Sequence, residues 1–577
     1  MVRHLQDALA QVSPAHFASL LRKARPLSMC RSLARNKRLS IAAVGLLALL
    51  LRLALHPLLG LPQPKIQDEF SYLLAGDTFA HGRIANPTHP MWIHFESFFI
   101  LEHPTYMSMY PPGQGLLLAL GMRLGHPWIA VLLSTALMCA AICWMLQGWL
   151  PPAWAFLGGL LAVLQLGLLT YWMNSYWGGS LPAIGGALVL GSLPRLMRSA
   201  KRRDALWMAF GLAILSNTRP YEGLALCLPV ALILSAWALG KKGPPTEILL
   251  PQVVIPIAAV LCAIVVVMGY YNFRVTGNAF LTPYQVSAKT YTGVPPFLWQ
   301  RPWQPPQYHH PVMRQYYDSL LQDYENSRTL KGFYQHSLRF VEIAWLFFVG
   351  PVFTLALLGL PAVWRDRRMR GPLLIGSLFL LALLVETWIH PHYFAPATAL
   401  FYLLLMQSLR HLRQWRWGDR AIGFSFAQAI PWSCLALVLL RLAAISAHAD
   451  IMTWPRGNLD RARVLNKLKS LPGHQLVIVR YAASHNPENE WVYNDADIEH
   501  AKVVWARDMG DHDNEELLEY FKGREIWTLY PDESPLRLEL VPAGQGTAAS
   551  LQRHNRVARD TSRAVLPPRQ FANRGPA

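Results

Sequence analysis

The chain has 577 residues, of which 53% are hydrophobic and only 15% are charged, and its formal net charge is +19. A soluble domain normally carries about 25% charged residues, so this composition excludes an ordinary soluble protein. Several runs reach the roughly 20 apolar residues that are needed to cross a bilayer. The basic residues gather in short segments between alternate apolar runs, which is the positive-inside pattern and not a nucleic-acid-binding surface. We therefore predict a polytopic α-helical membrane protein that binds no nucleic acid.

The basic segment 1–39 precedes the first apolar run and is predicted to be cytoplasmic and uncleaved. Eleven transmembrane helices are predicted, over residues 40–60, 127–148, 152–171, 180–197, 205–218, 221–240, 251–270, 340–362, 372–389, 394–409 and 427–447. The basic clusters then all fall on the cytoplasmic side. Within 205–240, SNTRPYEG fits either a turn between short helices or a re-entrant bend. We expect a bacterial inner (plasma) membrane, with the active site and the C-terminal domain extracytoplasmic.

Three polar regions are predicted on the outer side. Two are loops of the transmembrane domain 40–447: the first loop, 61–113, and the second loop, 271–339. The third region, 448–542, combines helical spacing in LDRARVLNKLKS with strand-like runs in LVIVRY, AKVVWA and REIWTLY, and DNEELLEYF opens on a capping-box pattern from Asp513 to Glu516. This alternation predicts a small α/β domain with a largely parallel sheet. The tail 543–577 has the composition of a disordered segment.

The segment IQDEFSYLLAGDTFAHG follows the first predicted span. From Gln67 to His81 the apolar residues recur at helical spacing, and Gly82 is placed as a C-cap. We predict an amphipathic helix on the outer membrane surface, with Asp68 and Glu69 in its first turn. Acidic residues there favour the helix dipole by about 0.3–1 kcal/mol, so the pair alone fits a structural role and a catalytic role equally.

Together with later motifs, this segment resembles the GT-C superfamily of integral-membrane glycosyltransferases, in particular the relatives of protein O-mannosyltransferases and lipid A aminoarabinose transferases. The resemblance rests on QDEFSYLLAGDTFAHG and PTYMSMYPPGQGLLLALG in the first loop, TRPYEG at 218–223, YYNFRVTGNAFLTPY at 270–284 and HPHYFAP at 390–396. It covers roughly residues 40 to 410. It implies that a polyprenyl-phosphate-linked sugar is transferred, with inversion, to an acceptor hydroxyl of a glycan, lipid or protein.

In that superfamily the first acidic residue is the catalytic carboxylate, which implies the role of general base for Asp68, with Glu69 as the neighbouring acid. The lipid phosphate leaves with growing negative charge, so cationic and hydrogen-bonding side chains should face it. The candidates for donor phosphate or substrate binding come from the other motifs: Arg219, Tyr221, Glu222, Arg274, His390, His392 and Tyr393. Structural interpretations stay open for them, namely an Arg219–Glu222 salt bridge, interfacial anchoring of Arg274 and a proline break at HPHYFAP.

The sequence contains no GxGxxG or GxxxxGK[ST] loop for a nucleotide sugar, and no cofactor is predicted. Some GT-C enzymes use a divalent cation, but the acids and histidines of the first loop lack regular ligand spacing, so no metal site is predicted; they are His89, His94, Glu96, Glu102 and His103. Aromatic residues between Tyr284 and Tyr317 suit either sugar stacking or interface packing. Two other functions stay open: a lipid or glycan transporter or flippase, and a non-catalytic scaffold with an outer binding domain.

Overall fold

The computed structural model describes residues 32–241, 243–447 and 457–541. The prediction of a disordered tail, and most of the basic N-terminal segment, lie outside the described residues. The described chain forms a helical bundle, an outer layer made by the first and second loops, and a C-terminal α/β domain that packs on this layer.

Within the described residues, eleven helices or broken helices make up the bundle. They are Lys37–Ala54, Pro127–Trp149, Pro152–Gln165, Ser180–Ser199, Arg202–Ser216, Pro220–Ala238, Thr246–Thr276, Leu330–Arg365, Arg370–Leu383, Thr398–Leu412 and Ile422–Ser446. Six of those described are long and apolar enough to cross a membrane, so the fold is that of a polytopic helical membrane protein. Helices of 14 residues, such as Pro152–Gln165, measure only about 21 Å against a hydrocarbon core of about 30 Å. The count of eleven spans therefore stays a prediction.

Two irregular points of the bundle are the SNTRPYEG segment, for which the sequence left two interpretations open, and a break in the helix Leu330–Arg365, which was not predicted. Residues 217–219 of SNTRPYEG form a turn between the helices Arg202–Ser216 and Pro220–Ala238. Whether these helices span the membrane or form a re-entrant bend stays a prediction. The long helix Leu330–Arg365 is broken by a π-helical segment at Trp345–Val349, which ends at Gly350 with φ +58°. Because Gly350 and Pro351 follow one another there, the regular α-helical hydrogen-bond ladder cannot continue through this point.

The helix predicted around the acidic pair is present as Gln67–Ala80 and is called the acidic helix below. It does not lie free on a surface, because it is buried between the bundle and the C-terminal domain. Its predicted place at the outer membrane surface stays a prediction. On one side it crosses a helix that was not predicted, Pro112–Arg123, so closely that a Cβ on Gly115 would lie 2.6 Å from Ala75 Cβ. On the other side Phe70 packs against the C-terminal domain.

Both loops contain further regular structure. The first loop holds a short helix, Trp92–Phe95, and three short antiparallel strands in the order β1-β3-β2: β1 Asn86–Pro87, β2 Ile100–Leu101 and β3 Thr105–Ser108. The second loop contains two helices that were not predicted, Pro283–Tyr291 and Pro311–Ser327. These elements form the layer to which the C-terminal domain is attached.

The C-terminal domain contains two helices and a four-stranded sheet. In chain order these are Leu459–Ser470, β4 Gln475–Val479, β5 Val503–Arg507, Asp511–Tyr520, β6 Glu525–Tyr530 and β7 Arg537–Leu540. The strand order is β5-β4-β6-β7, with only β7 antiparallel, so the sheet is largely parallel as predicted. The predicted capping box is wrong: the helix begins at Asp511, after Gly510 with φ +89°, and Asp513 lies inside its first turn.

The C-terminal domain shares a hydrophobic core with the first loop. Phe70 of the acidic helix stacks on Tyr493, with ring centroids 4.0 Å apart. The Gln67 amide donates to the Pro487 carbonyl at 3.1 Å, and the Asp77 carboxylate accepts from a backbone N–H of the domain at 2.7 Å. Because apolar packing and hydrogen bonds both cross this boundary, the domain holds the acidic helix in place.

Candidate active site

A cavity of about 1580 Å³ lies between the bundle and the acidic helix. It is larger than the roughly 300–1,000 Å³ of most small-molecule sites. Its charged and polar wall includes Asp68, Tyr110, Arg219, Tyr221, Glu222, Arg339, Glu386, His390, His392 and Tyr393. Its apolar wall comes from three bundle helices and includes Leu164, Leu346, Phe347, Val352, Leu437 and Val438. The cavity therefore combines a charged region with an apolar region that suits a hydrocarbon chain.

Asp68 lies in the first turn of the acidic helix, and its half-buried carboxylate forms part of the cavity wall. This carboxylate accepts a hydrogen bond from the Tyr110 hydroxyl. Burial raises the pKa of Asp68 above its usual value, while the Tyr110 hydroxyl, the charge of Arg219 and the Trp177 indole act in the opposite direction. A carboxylate with a raised pKa is a stronger base than one in water, which suits proton abstraction near neutral pH.

Glu69 does not line the cavity, because consecutive helix residues point about 100° apart. Its side chain is 2% exposed. One carboxylate oxygen accepts from the backbone N–H groups of Lys65 and Ile66 at 2.9 and 3.1 Å, and the other accepts from the Tyr176 N–H at 2.9 Å. Glu69 thus fixes the start of the acidic helix against the bundle. These contacts fit a positioning role, and the catalytic role of Glu69 stays a prediction that its place outside the cavity does not support.

Local packing brings the first loop against the TRPYEG turn. Tyr72, one helical turn after Asp68, stacks on Tyr110 with ring centroids 4.6 Å apart. Just beyond Tyr110, the Gly113 N–H donates to the Asn217 carbonyl at 2.8 Å. A Cβ on Gly113 would lie 2.6 Å from that carbonyl oxygen, so only glycine permits this approach. The close approach of Gly113 to Asn217 therefore sets the distance between the acidic helix and Arg219, which follows Asn217 in the SNTRPYEG segment.

Arg219 precedes the helix Pro220–Ala238, and its side chain is 14% exposed. Its Nη1 atom lies 3.3 Å from Glu222 Oε1, and its guanidinium carbon lies 4.6 Å from the Tyr393 ring centroid. The salt-bridge interpretation is therefore confirmed, and the same three side chains also form part of the cavity wall. Since a guanidinium has five N–H donors, pairing with Glu222 leaves capacity to bind a second anion.

HPHYFAP forms two short 3₁₀ turns before helix Thr398–Leu412, which confirms the proline break. It also places two stacked imidazoles at the cavity, with the ring centroids of His390 and His392 5.4 Å apart. His392 Nδ1 lies 2.9 Å from the Tyr171 hydroxyl. Burial, together with the charge of Arg219, lowers the pKa of His390 to about 4 and the pKa of His392 well below its usual value. These shifts favour the neutral form of both rings.

Two other predicted residues differ in their placement. Tyr221 lines the cavity with its ring, while its hydroxyl donates to the Ala382 carbonyl at 2.8 Å. Arg274 does not line the cavity: its side chain is exposed, and its Nη1 donates to the Tyr270 hydroxyl at 3.0 Å. The structure therefore gives no support to the predicted phosphate role of Arg274, because its helix turns the residue away from the cavity. Interfacial anchoring stays a prediction for it.

Several charged residues of the cavity wall belong to no motif and were not predicted as site residues, among them Arg339 and Glu386. Arg339 is exposed to the cavity near the start of helix Leu330–Arg365, and its charge contributes to the low pKa of His390. Glu386 is 7% exposed and follows the helix Arg370–Leu383. Each is an isolated charge near the end of an apolar run, which is the sequence signal that could have revealed them.

The aromatic stretch of the second loop is divided between packing and exposed surface. Tyr291, Tyr308 and Tyr317 stack within one cluster, with centroids 5.8–6.3 Å apart in the two stacked pairs. Trp299 and Trp303 are 61% and 39% exposed, respectively. These three tyrosines pack on one another, while Tyr317 also lines the cavity. Sugar stacking and placement at the membrane interface both stay predictions for the stretch.

The acids and histidines of the first loop are spread over separate contacts. His89 Nε2 lies 3.0 Å from Glu499, and Glu96 pairs with His309 at 3.0 Å. Glu102 is 1% exposed, and neither of its oxygens has a hydrogen-bond partner among the described residues. In the part of the chain that the structure describes, no group of three or more such side chains is arranged to hold a metal ion. Metal independence stays a prediction.

No family model matches the sequence, and no curated protein matches it. Among solved structures, the chain is similar to the oligosaccharyltransferase of Archaeoglobus fulgidus in complex with Zn and sulfate, with 11% identity, 85% of this chain and 67% of that chain covered, and a TM-score of 0.49. It is also similar to ArnT from Cupriavidus metallidurans, in the apo state (12% identity, 86% and 92% covered, TM-score 0.45) and bound to undecaprenyl phosphate (13% identity, 85% and 92% covered, TM-score 0.43). Sequence identities and TM-scores this low do not assign the chain to the family of either neighbour.

Proposed function

We propose that this protein is an integral-membrane glycosyltransferase that moves a sugar from a polyprenyl-phosphate donor to an acceptor hydroxyl on the outer face of the membrane. The observation that carries the proposal is one cavity whose charged wall includes the carboxylate of Asp68, the guanidinium groups of three arginines and the imidazoles of His390 and His392, beside an apolar wall. This combination suits a substrate that is part lipid and part phosphate sugar. The acceptor is a hydroxyl of a glycan, a lipid or a protein.

The apolar wall suits the lipid part of the donor. It is formed by helices Pro152–Gln165, Leu330–Arg365 and Ile422–Ser446, at the level of the break at Gly350. An isoprenoid chain in this region would bury apolar surface at roughly 25 cal/mol per Å². The undecaprenyl phosphate held by the Cupriavidus ArnT structure belongs to the same chemical class as this donor.

Arg219 and Arg339 are the side chains that we assign to the donor phosphate. Both line the cavity, and the charges of both act on His390, which supports a phosphate site near these two guanidinium groups and this imidazole. Charge-assisted hydrogen bonds from guanidinium to phosphate oxygens would strengthen as the leaving phosphate gains negative charge. Glu222 and Tyr393 hold Arg219 in this orientation.

The reaction then follows as a single displacement. The acceptor oxygen attacks the anomeric carbon of the donor sugar while Asp68 takes the hydroxyl proton. The bond between this carbon and the phosphate oxygen breaks, its electron pair stays on the polyprenyl phosphate, and the configuration at the anomeric carbon is inverted. Tyr110 keeps the Asp68 carboxylate oriented by donating its hydroxyl hydrogen bond. General-base assistance of this kind contributes about 10²–10⁴-fold.

The experiment compares Asp68→Asn with Arg274→Gln, an exposed arginine outside the cavity, in matched membranes. Release of polyprenyl phosphate from a panel of synthetic polyprenyl-phosphate sugars is measured in membranes that contain the natural acceptor. We expect D68N to lower kcat by about 10²–10⁴-fold with little change in donor affinity, and R274Q to resemble wild type. Wild-type turnover in D68N would refute the proposal.

A lipid or glycan transporter is the second candidate, because a cavity of about 1580 Å³ could also hold a lipid in transit. The same variants separate the two functions. A transporter would move labelled lipid between leaflets of a reconstituted vesicle without breaking the sugar–phosphate bond, and D68N would not be expected to stop this movement. A glycosyltransferase would release polyprenyl phosphate in the same preparation.

A further inference from the structure

A second cavity, of about 430 Å³, lies at the opposite end of the bundle, and we call it the basic pocket. Its wall includes Trp149, Arg365, Asp366, Arg368, Arg410 and His411. Helix Thr398–Leu412 connects the two cavities, because it starts beside HPHYFAP and its last turn contains Arg410. Its 15 residues correspond to about 22 Å, so the basic pocket is well separated from the candidate active site.

The arginines of the basic pocket make fewer hydrogen bonds within the protein than other arginines at the same end of the bundle. Arg195 and Arg198, which lie outside the pocket, donate to backbone carbonyl groups at 2.5–2.9 Å. The exposed side chains of Arg365 and Arg368 have no hydrogen bond or ion pair with any residue that the structure describes. Arg410 uses one N–H, which donates to Gln407 at 2.7 Å.

The backbone that carries these arginines is held in a fixed shape. Asp366 accepts from the Arg368 backbone N–H at 2.9 Å and from the Gln407 amide at 2.7 Å. The turn between two bundle helices is thereby tied to the end of a third, helix Thr398–Leu412. Three guanidinium groups and one carboxylate give the basic pocket a net charge of +2 with His411 neutral. Among the described residues, this ordered cationic pocket has no anionic partner of matching charge.

We propose that the basic pocket binds the phosphate group of an anionic phospholipid. Arginine forks match phosphate oxygens in a bidentate way, and basic pockets between membrane helices bind anionic headgroups. Trp149 fits this position, because its indole is anchored by donating to the Leu190 carbonyl at 3.0 Å and its ring belongs to the pocket wall at a helix end. The inference does not depend on the proposed transfer reaction.

The test uses the purified full-length chain in neutral detergent. Phosphatidylglycerol, phosphatidylcholine and inorganic phosphate are titrated separately, and binding is followed by native mass spectrometry and by the thermal unfolding midpoint. Phosphatidylglycerol should bind and raise the midpoint, whereas phosphatidylcholine should do neither. The variant Arg368→Gln should weaken phosphatidylglycerol binding by at least about tenfold, because it removes charge-assisted hydrogen bonds. Arg365→Gln should act in the same direction.

Arg367→Gln is the matched control, since Arg367 is equally exposed in the same turn but does not line the basic pocket. It should bind phosphatidylglycerol like wild type. Equal weakening by R367Q and R368Q would overturn the inference in favour of a diffuse basic surface. Equal binding of phosphatidylcholine would also overturn it. Saturation by inorganic phosphate, with no further binding of phosphatidylglycerol, would assign the pocket to a soluble phosphate and overturn the lipid source. Lipid-free melting curves of the variants should match wild type.

Discussion

Glu69→Gln tests whether the second acid of the pair holds the fold or takes part in chemistry. The glutamine has nearly the same shape, but it has one acceptor oxygen where the carboxylate has two. That oxygen can serve either the Lys65 and Ile66 N–H groups or the Tyr176 N–H, and the amide nitrogen must face the other side. At least one backbone N–H therefore loses its acceptor and meets another donor.

The magnitude follows from these hydrogen bonds. The best orientation of the glutamine keeps the two bonds at the helix start and leaves the buried Tyr176 N–H unsatisfied, which costs about 1–3 kcal/mol. Burial raises the pKa of Glu69, so the charge itself is costly, and removing it offsets part of this loss. We therefore expect E69Q to lower the free energy of unfolding by about 1–2 kcal/mol, which is the lower part of the 1–3 kcal/mol range for an unsatisfied buried N–H group.

The assay compares the thermal unfolding midpoint in detergent with turnover measured well below that midpoint. E69Q should have a lowered midpoint and retain measurable turnover, whereas D68N should keep the wild-type midpoint and lose turnover. The reasoning would be refuted by an E69Q protein that melts like wild type but is as inactive as D68N, because Glu69 would then belong to the reacting groups.

Three further predictions concern the surroundings of the cavity. Tyr110→Phe removes a hydrogen bond that holds down the pKa of Asp68, so the acidic limb of the kcat/KM profile should move to higher pH; an unchanged limb would exclude Asp68 as the titrating base. Burial, reinforced by the charge of Glu96, raises the pKa of Glu102 well above its usual value. The contribution of Glu102 to folding stability is therefore complete at low pH, and it is lost as pH rises through that raised pKa. Glutamine stays neutral at every pH, so the thermal unfolding midpoint of Glu102→Gln should exceed that of wild type by a difference that grows with pH. A difference that does not change with pH would contradict this. Gly113→Ala should cost about 1–3 kcal/mol by overpacking and reduce turnover, while Gly269→Ala, where the nearest atom is 3.9 Å away, should do neither.

The sequence predicted the local geometry of the acidic pair well. Helical spacing after Gln67 placed Asp68 and Glu69 in a first turn, and the angle between consecutive residues already required different roles for them. The burial of that helix could not be predicted, because its polar residues Gln67 and Asp77 bond to backbone groups about 420 positions later in the chain. In isolation, a helix with such residues resembles one that faces water.

The two arginines outside the TRPYEG motif show the same limit. Arg274 belongs to a recognisable motif but lies on an exposed helix face, and Arg339 belongs to none but lines the cavity. Spacing along one helix fixes which residues share a face, but the crossing of neighbouring helices decides which face meets the cavity. Charge patterning is a signal of membrane insertion and not of packing, so the predicted cytoplasmic side of the basic connections stays a prediction.

The contacts of the acidic helix with the C-terminal domain also determine the order in which the protein can be completed. The acidic helix is made early, but Phe70 has its stacking partner Tyr493 only after more than 400 further residues have been synthesised. At about 5–20 residues per second, this corresponds to a delay of roughly 20–80 s. During that time the apolar side of the helix has no native cover, and Asp68 is not yet fixed from the domain side. The catalytic geometry would therefore be one of the last features of the molecule to form, so a chain that is truncated before the domain should insert into the membrane but remain inactive.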